Sequence, residues 1–353
     1  MIIPEFQTAL TALKEGQYTL NPTHSLPSHN LLPPSYILIR VSFVALNPCN
    51  WKMIDFSPAI GTVGGNDFSG RVVAIGSAVS GRSETPSVVF STDWIRMSER
   101  WNGLGRLPSQ YAEATCLGAG VVTADMALRA LGASLTEIAL GGLSLCDEAS
   151  TGSRKASPSP YILVYGGSTA TGTMAVQVAR LAGYSPITTC SPSHNALVQS
   201  YGAIKAFDYR SASCGVAIRA FTKGKLSLIL DCTASMESMK ICYAAMGARE
   251  GRYVGLEPSA TRIQTARKDV QSSWVMALTI FGKPVDLKGP FGRDAVPGDY
   301  EWAAKWYKQA GKLVEEDLLR PHPASVRSGG WEGLEELRCG LVKGGKLVYA
   351  VGE

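Results

Sequence analysis

Histidine is scarce in this chain of 353 residues: only His24, His29, His194 and His322 occur, none in a Gly-His-Glu context. The eight cysteines, Cys49, Cys116, Cys146, Cys190, Cys214, Cys232, Cys242 and Cys339, are scattered without paired spacing. A catalytic zinc needs three or four clustered donors and a disulfide framework belongs to small secreted chains, so neither is expected. No run of about 18 uninterrupted apolar residues occurs, and Met1 to Leu10 lacks a basic start followed by an apolar stretch. No membrane span or export signal is expected, and reduced thiols in the cytoplasm are. The net charge of +5 is spread along the chain without a basic block interleaved with aromatics, which argues against nucleic acid as a partner. G-x-S-x-G and Ser/His/Asp patterns are missing, as is a lysine after the glycine-rich turn, which argues against triad and P-loop chemistry.

What remains is an α/β profile: 45% hydrophobic and 18% charged residues with 37 glycines and 19 prolines. The length suggests two cores. Residues 36–46 and Asp67 to Ile75 are β-branched-rich and bounded by proline and glycine, so they read as strands of a small β-rich domain. Residues 150–160 have linker composition. Beyond them the pattern becomes strand 161–165, glycine turn 166–172, helix 173–182 and strand 187–190, a βαβ unit. Apolar runs at 226–232 and 252–256 supply further parallel strands, and 346–351 supplies a last strand after a Trp-rich helical region containing Trp302, Trp306 and Trp331.

The turn Gly166-Gly-Ser-Thr-Ala-Thr-Gly172 ends a buried strand and opens a helix, whose backbone N–H groups and dipole favour a pyrophosphate. Gly166 and Gly167 allow the tight turn, Gly172 allows close helix packing, and Ser168, Thr169 and Thr171 add hydroxyl donors beside Ala170. The spacing departs from G-x-G-x-x-G, so a purely structural glycine turn is the competing reading. The next strand ends at Thr188-Thr-Cys-Ser191, where an NAD-binding fold presents an acid to the adenosine ribose; no Asp or Glu occurs between Glu148 and Asp208. Ser191, Pro192, Ser193 and His194 follow that strand, and Tyr209 with Arg210 follows the next, so NADPH is expected over NADH unless these are ordinary loop residues. Hydride transfer needs no metal when the acceptor is a conjugated double bond, because a donor on the carbonyl can stabilise the enolate.

The segments Asn47-Pro-Cys-Asn-Trp-Lys52, Gly65-Asn-Asp-Phe-Ser-Gly-Arg-Val-Val73, Val164–Gly172, Cys190-Ser-Pro192 with Phe207-Asp-Tyr209, and Lys346-Leu-Val-Tyr349 resemble, in this order, zinc-less quinone-reductase-like medium-chain dehydrogenases/reductases. Within that group the chain is most similar to the stand-alone, trans-acting enoyl reductases of fungal highly reducing polyketide synthases. The resemblance implies a GroES-like substrate domain over 1–130, a Rossmann domain over 131–285 and a return to the first domain over 286–353. It also implies cofactor contacts from Cys49, Asn50, Trp51 and Lys52, from Leu256 and Glu257, and from Leu347 and Val348. Lys52 matches a lysine near the nicotinamide and substrate and is expected just past a strand; Thr123, beside Val122, matches a threonine facing the cleft. Leu278, Thr279, Ile280, Phe281 and Gly282 match a substrate-lining loop. The alternatives are an exposed lysine flanking a core strand for Lys52 and plain core for 278–282.

Two departures stand out. The stretch 81–107 replaces strands the family normally has, and Asp125 stands where a small residue is expected, a charge whose burial is costly unless paired. The implied reaction is NADPH-dependent reduction of an α,β-unsaturated thioester on a carrier protein of a partner polyketide synthase. The basic excess suits an acidic phosphopantetheine carrier. The oligomeric state is left open. A free-standing quinone or alkenal reductase, and a reductase-like scaffold without redox activity, are the rival readings.

Overall fold

A computed structural model describes residues 5–26, 32–34, 36–78, 111–135, 159–247, 250–258, 267–328 and 333–351. The altered stretch 81–107, the joint 151–158, His29, Cys146 and Trp331 lie outside them. The chain divides into two compact units, one of Met1–Ala119 with Leu278–Glu353 and one of Gly120–Ala277.

In the first unit, β1 (Phe6–Lys14) and β2 (Gln17–Ser25) form an antiparallel ribbon. Its tight turn depends on Gly16 at φ 73, a left-handed backbone that suits glycine. A four-stranded sheet runs in the order β11 (Ala324–Arg327), β12 (Lys346–Ala350), β3 (Ile37–Ala45), β4 (Asp67–Ile75). The C-terminal strand β12 thus lies between β11 and β3, parallel to one and antiparallel to the other. Between β3 and β4 comes helix α1 (Pro48–Phe56). Lys52 therefore sits inside a helix rather than at a strand's end. Pro48 is tolerated in the first turn because its missing N–H would be unpaired there anyway. Leu10, Leu46, Ile54, Leu334, Leu347 and Tyr349 form one apolar cluster in this unit, shared by the ribbon, α1 and β12.

The second unit holds a wholly parallel sheet in the order β10 (Val270–Trp274), β9 (Gly251–Gly255), β8 (Leu228–Asp231), β5 (Tyr161–Tyr165), β6 (Ser185–Cys190), β7 (Lys205–Asp208). The first strand, β5, lies in the middle, and the chain grows first toward β7 and then, from β8, the other way. This is the doubly wound Rossmann order, whose ligands bind beyond the strand C-termini where the direction switches. Ile162, Leu163 and Val164 of β5 are all fully buried, as a central strand covered on both faces requires. Helix α2 (Tyr111–Ala114) belongs to the first unit and precedes α3 (Gly118–Ala130), most of which lies in the second; α4 (Ala170–Leu181), α5 (Asn195–Ser200), α6 (Cys214–Phe221) and α7 (Met236–Ala245) connect the parallel strands. In the first unit, α8 (Asp299–Glu315) buries Trp302 and Trp306, and α9 (Gly333–Arg338) precedes β12.

No helix among the described residues is long and apolar enough to cross a membrane.

Candidate active site and cofactor site

The glycine turn sits at the switch point between β5 and β8. Gly166 has φ 78 and donates its N–H to Thr189 Oγ1 at 3.0 Å, while Gly167 donates to the Thr189 carbonyl at 3.0 Å. A Cβ on Gly167 would lie 1.9 Å from Thr188 Oγ1, and one on Gly172 would lie 2.3 Å from the Gly166 carbonyl oxygen. The glycines are thus required by the approach of strand and helix to the turn. Thr169 caps α4 by accepting from Gly172 N at 3.0 Å. Among the described residues, no acceptor meets the N–H groups of Ser168, Ala170 and Thr171. Donors at a helix start that the protein itself does not use fit a pyrophosphate, so the loop is suited to a dinucleotide.

Past β6, Ser191 opens a single 3-10 turn, Pro192–His194, with Ser191 and His194 half-buried and Ser193 exposed. Past β7, the Asp208 carboxylate is engaged by Arg210 at 3.3 Å, and the Arg210 guanidinium lies 5.6 Å from the Tyr209 ring. Tyr209 in turn lies 6.4 Å from Tyr165 at the end of β5. Leu256 and Glu257 follow β9 at the same end of the sheet, both half-buried.

In the first unit a buried polar chain carries the residues of α1. Asn50 reaches back to accept the Asn47 N–H at 2.6 Å, Asn47 Nδ2 donates to Asp67 Oδ2 at 2.8 Å, and Asn50 Nδ2 donates to Asn66 at 3.1 Å. Asn66 Nδ2 meets Cys49 Sγ at 3.1 Å. Burial, and secondarily the Asp67 carboxylate, push the Cys49 thiol up to about 12, against the pull of Lys346 and Lys52, so it is no nucleophile at neutral pH. Lys346 donates to Asp67 Oδ2 in an ion pair buried on both sides, and Asp67 Oδ1 accepts Ala119 N at 2.7 Å in the first turn of α3. Lys52 is half-buried, its ammonium 5.7 Å from the Trp51 ring. Trp51 Nε1 is buried with no acceptor among the described residues.

Thr123 is half-buried on α3, whereas Val122 is fully buried beside it. Leu347 and Val348 are core residues of β12, at 1% and 0% exposure, so only their backbone could face a ligand. Leu278, Thr279, Ile280 and Phe281 lie in a 3-10 turn, Ala277–Phe281, followed by Gly282 at φ 63. Thr279 Oγ1 is committed to Asp299 Oδ2 at 2.6 Å. Asp125 is fully buried but accepts from Ser134 Oγ at 3.0 Å and Leu135 N at 3.1 Å, which offsets the cost the sequence raises. Asp67, Lys346 and Asp231 organise the two units without being expected from the sequence: Asp67 and Lys346 open their strands and Asp231 closes its own, and a charge at the end of a buried strand is the one signal that marks them.

A family model described as zinc-binding dehydrogenase matches residues 170–307. Among the described residues, no group of three or more His, Cys, Asp or Glu is placed to hold a metal ion. The chain is 39% identical to the trans-enoyl reductase caaB of Aspergillus niger over 99% of this chain and 98% of the relative. It is 37% identical to the trans-enoyl reductase BOA5 of Botryotinia fuckeliana over 96% and 98%. Among solved structures, CurK enoyl reductase shares the fold with TM-score 0.68 at 17% identity, over 98% of this chain and 99% of that one. The quinone oxidoreductase of Coxiella burnetii does so with TM-score 0.65 at 18%, over 98% and 99%. With such identity along its whole length, the chain belongs to the trans-enoyl reductases, nicotinamide-dependent members of the medium-chain dehydrogenase/reductase superfamily.

Proposed function

We propose that this chain is an NADPH-dependent enoyl reductase acting in trans on carrier-bound α,β-unsaturated thioesters of a partner polyketide synthase. The observation that carries the reading is full-length identity of 39% to a trans-enoyl reductase. When bound, the reduced nicotinamide supplies the hydride for the β-carbon, and the α-carbon then takes up a proton.

The chain's own residues supply binding and orientation. The free N–H groups at the start of α4, with the Ser168, Thr169 and Thr171 hydroxyls, hold the pyrophosphate. Ser191, Ser193 and His194 donate to the 2′-phosphate in a region whose nearest strand-end acid, Asp208, is already engaged by Arg210. That arrangement supports NADPH over NADH. Lys52, on α1 beside Cys49, Asn50 and Trp51, donates to the nicotinamide ribose or the thioester carbonyl, and Thr123 helps position the carbonyl. Donors there stabilise the enolate that forms as the double bond is reduced. The chain's net charge of +5 favours encounter with an acidic carrier protein.

The test compares NADPH oxidation with an enoyl chain on a carrier protein against oxidation with small quinones. Preference for the carrier-bound enoyl chain supports the reading; fast turnover of quinones alone rejects the polyketide role.

A further inference from the structure

At the end of β8 the buried Asp231 carboxylate gathers donors from three directions. Its Oδ1 accepts the backbone N–H of Thr233 at 2.9 Å and of Ala234 at 2.8 Å. Its Oδ2 accepts from Ser238 Oγ at 2.6 Å, on α7, and from Tyr253 OH at 2.9 Å, on β9. Burial pushes the carboxyl pKa up, and the four donors oppose that shift. Ala234 has φ 51, a left-handed backbone that a non-glycine residue adopts only when its surroundings hold it there. The two N–H groups bound to Oδ1 provide that hold.

The turn so held lies between two stretches proposed to contact the cofactor. On one side, a Cβ built on Gly166 would meet Thr233 Oγ1 at 3.2 Å and Cys232 Cβ at 3.5 Å. On the other, a Cβ built on Gly255 would meet the Glu257 carbonyl oxygen at 3.1 Å and Ala234 Cβ at 3.3 Å. Leu256 N also donates to the Asp231 carbonyl at 3.2 Å. Thr233 is exposed at the switch point while the carboxylate beneath it is fully buried. A charge buried so deeply is costly, and apolar packing alone would serve the core better.

We infer that Asp231 is a positioning residue for the dinucleotide: it fixes the Cys232–Ala234 turn as the wall that sets the glycine turn and the Leu256–Glu257 loop at their spacing. This rests on the nicotinamide reading above. It touches no substrate and acts through the turn, so its loss should weaken cofactor binding while leaving the enoyl substrate's KM unchanged.

The experiment measures the Kd for NADPH by calorimetry on the full chain, at a temperature where circular dichroism shows each variant folded. Asp231→Ala should raise Kd about tenfold or more, the cost of releasing two charge-assisted hydrogen bonds that hold the turn. Asp231→Asn keeps an oxygen for both N–H groups and should stay within about threefold of wild type. Should Asp231→Ala not fold, Ala234→Pro carries the test: proline cannot take a positive φ and lacks the N–H, so it breaks the turn and leaves the carboxylate in place. It should raise Kd in the same direction. A folded Asp231→Ala or Ala234→Pro that binds NADPH like wild type overturns the inference alone. Wild-type protein that binds neither NADPH nor NADH overturns the function reading, and this inference with it.

Discussion

Lys346 and Asp67 stand 279 residues apart in the chain and form an ion pair whose side chains are 2% and 0% exposed. The pair joins the first residue of β12 to the first of β4, and Asp67 also holds Asn47 before α1 and Ala119 in α3. Removing one partner would strand the other charge in the core. Lys346→Met should therefore cost about 3–5 kcal/mol, and the double variant with Asp67→Asn should lose less than Lys346→Met alone. Chemical denaturation measures this; a loss below about 1 kcal/mol in Lys346→Met would show that the pair contributes little.

Lys52 is the residue on which the catalytic reading most depends. Met keeps the apolar length and is a good helix former, so α1 should persist in Lys52→Met while the charge and donors disappear. Turnover should fall about a hundredfold or more with the thermal midpoint nearly unchanged. A stable variant with wild-type kcat/KM for an enoyl thioester would remove Lys52 from the site.

Local chemistry made much of the fold legible. The strands Asp67–Ile75 and Tyr161–Tyr165 end where the sequence reading ends them, because Gly65 and Gly76 flank the first and Pro160 and Gly166 flank the second. The glycine turn was legible because its neighbours demand glycine. The helix around Lys52 was missed although Asn47-Pro48 is a start signal, since the preceding apolar strand dominated the pattern. Strand β10, Val-Gln-Ser-Ser-Trp, was missed because an edge strand carries polar residues. The Asp67–Lys346 and Asp231–Tyr253 contacts join distant segments, and one sequence holds no record of which segments meet.

Cofactor choice is tested at Ser191. An acid there would face the 2′-phosphate, so Ser191→Asp should weaken NADPH by about 1–2 kcal/mol through like-charge repulsion. Titration of both cofactors measures it. Equal affinity of the unmodified protein for NADH and NADPH would count against the assignment.

Gly172 has no room for a side chain: its Cβ would lie 2.3 Å from the Gly166 carbonyl oxygen and 2.8 Å from Gly167 Cα. Both contacts are backbone and cannot swing away. Gly172→Ala should push α4 off the turn, lowering stability by about 1–3 kcal/mol and weakening NADPH binding together. Unchanged stability and Kd would show that the turn is looser than its geometry implies.

The most direct measurement is NADPH consumption by the purified chain with its partner synthase carrying an enoyl intermediate, against either protein alone. NADPH oxidation matched mole for mole by saturated product is expected only when both are present. Normal complex formation without NADPH consumption would contradict it and identify the chain as a scaffold.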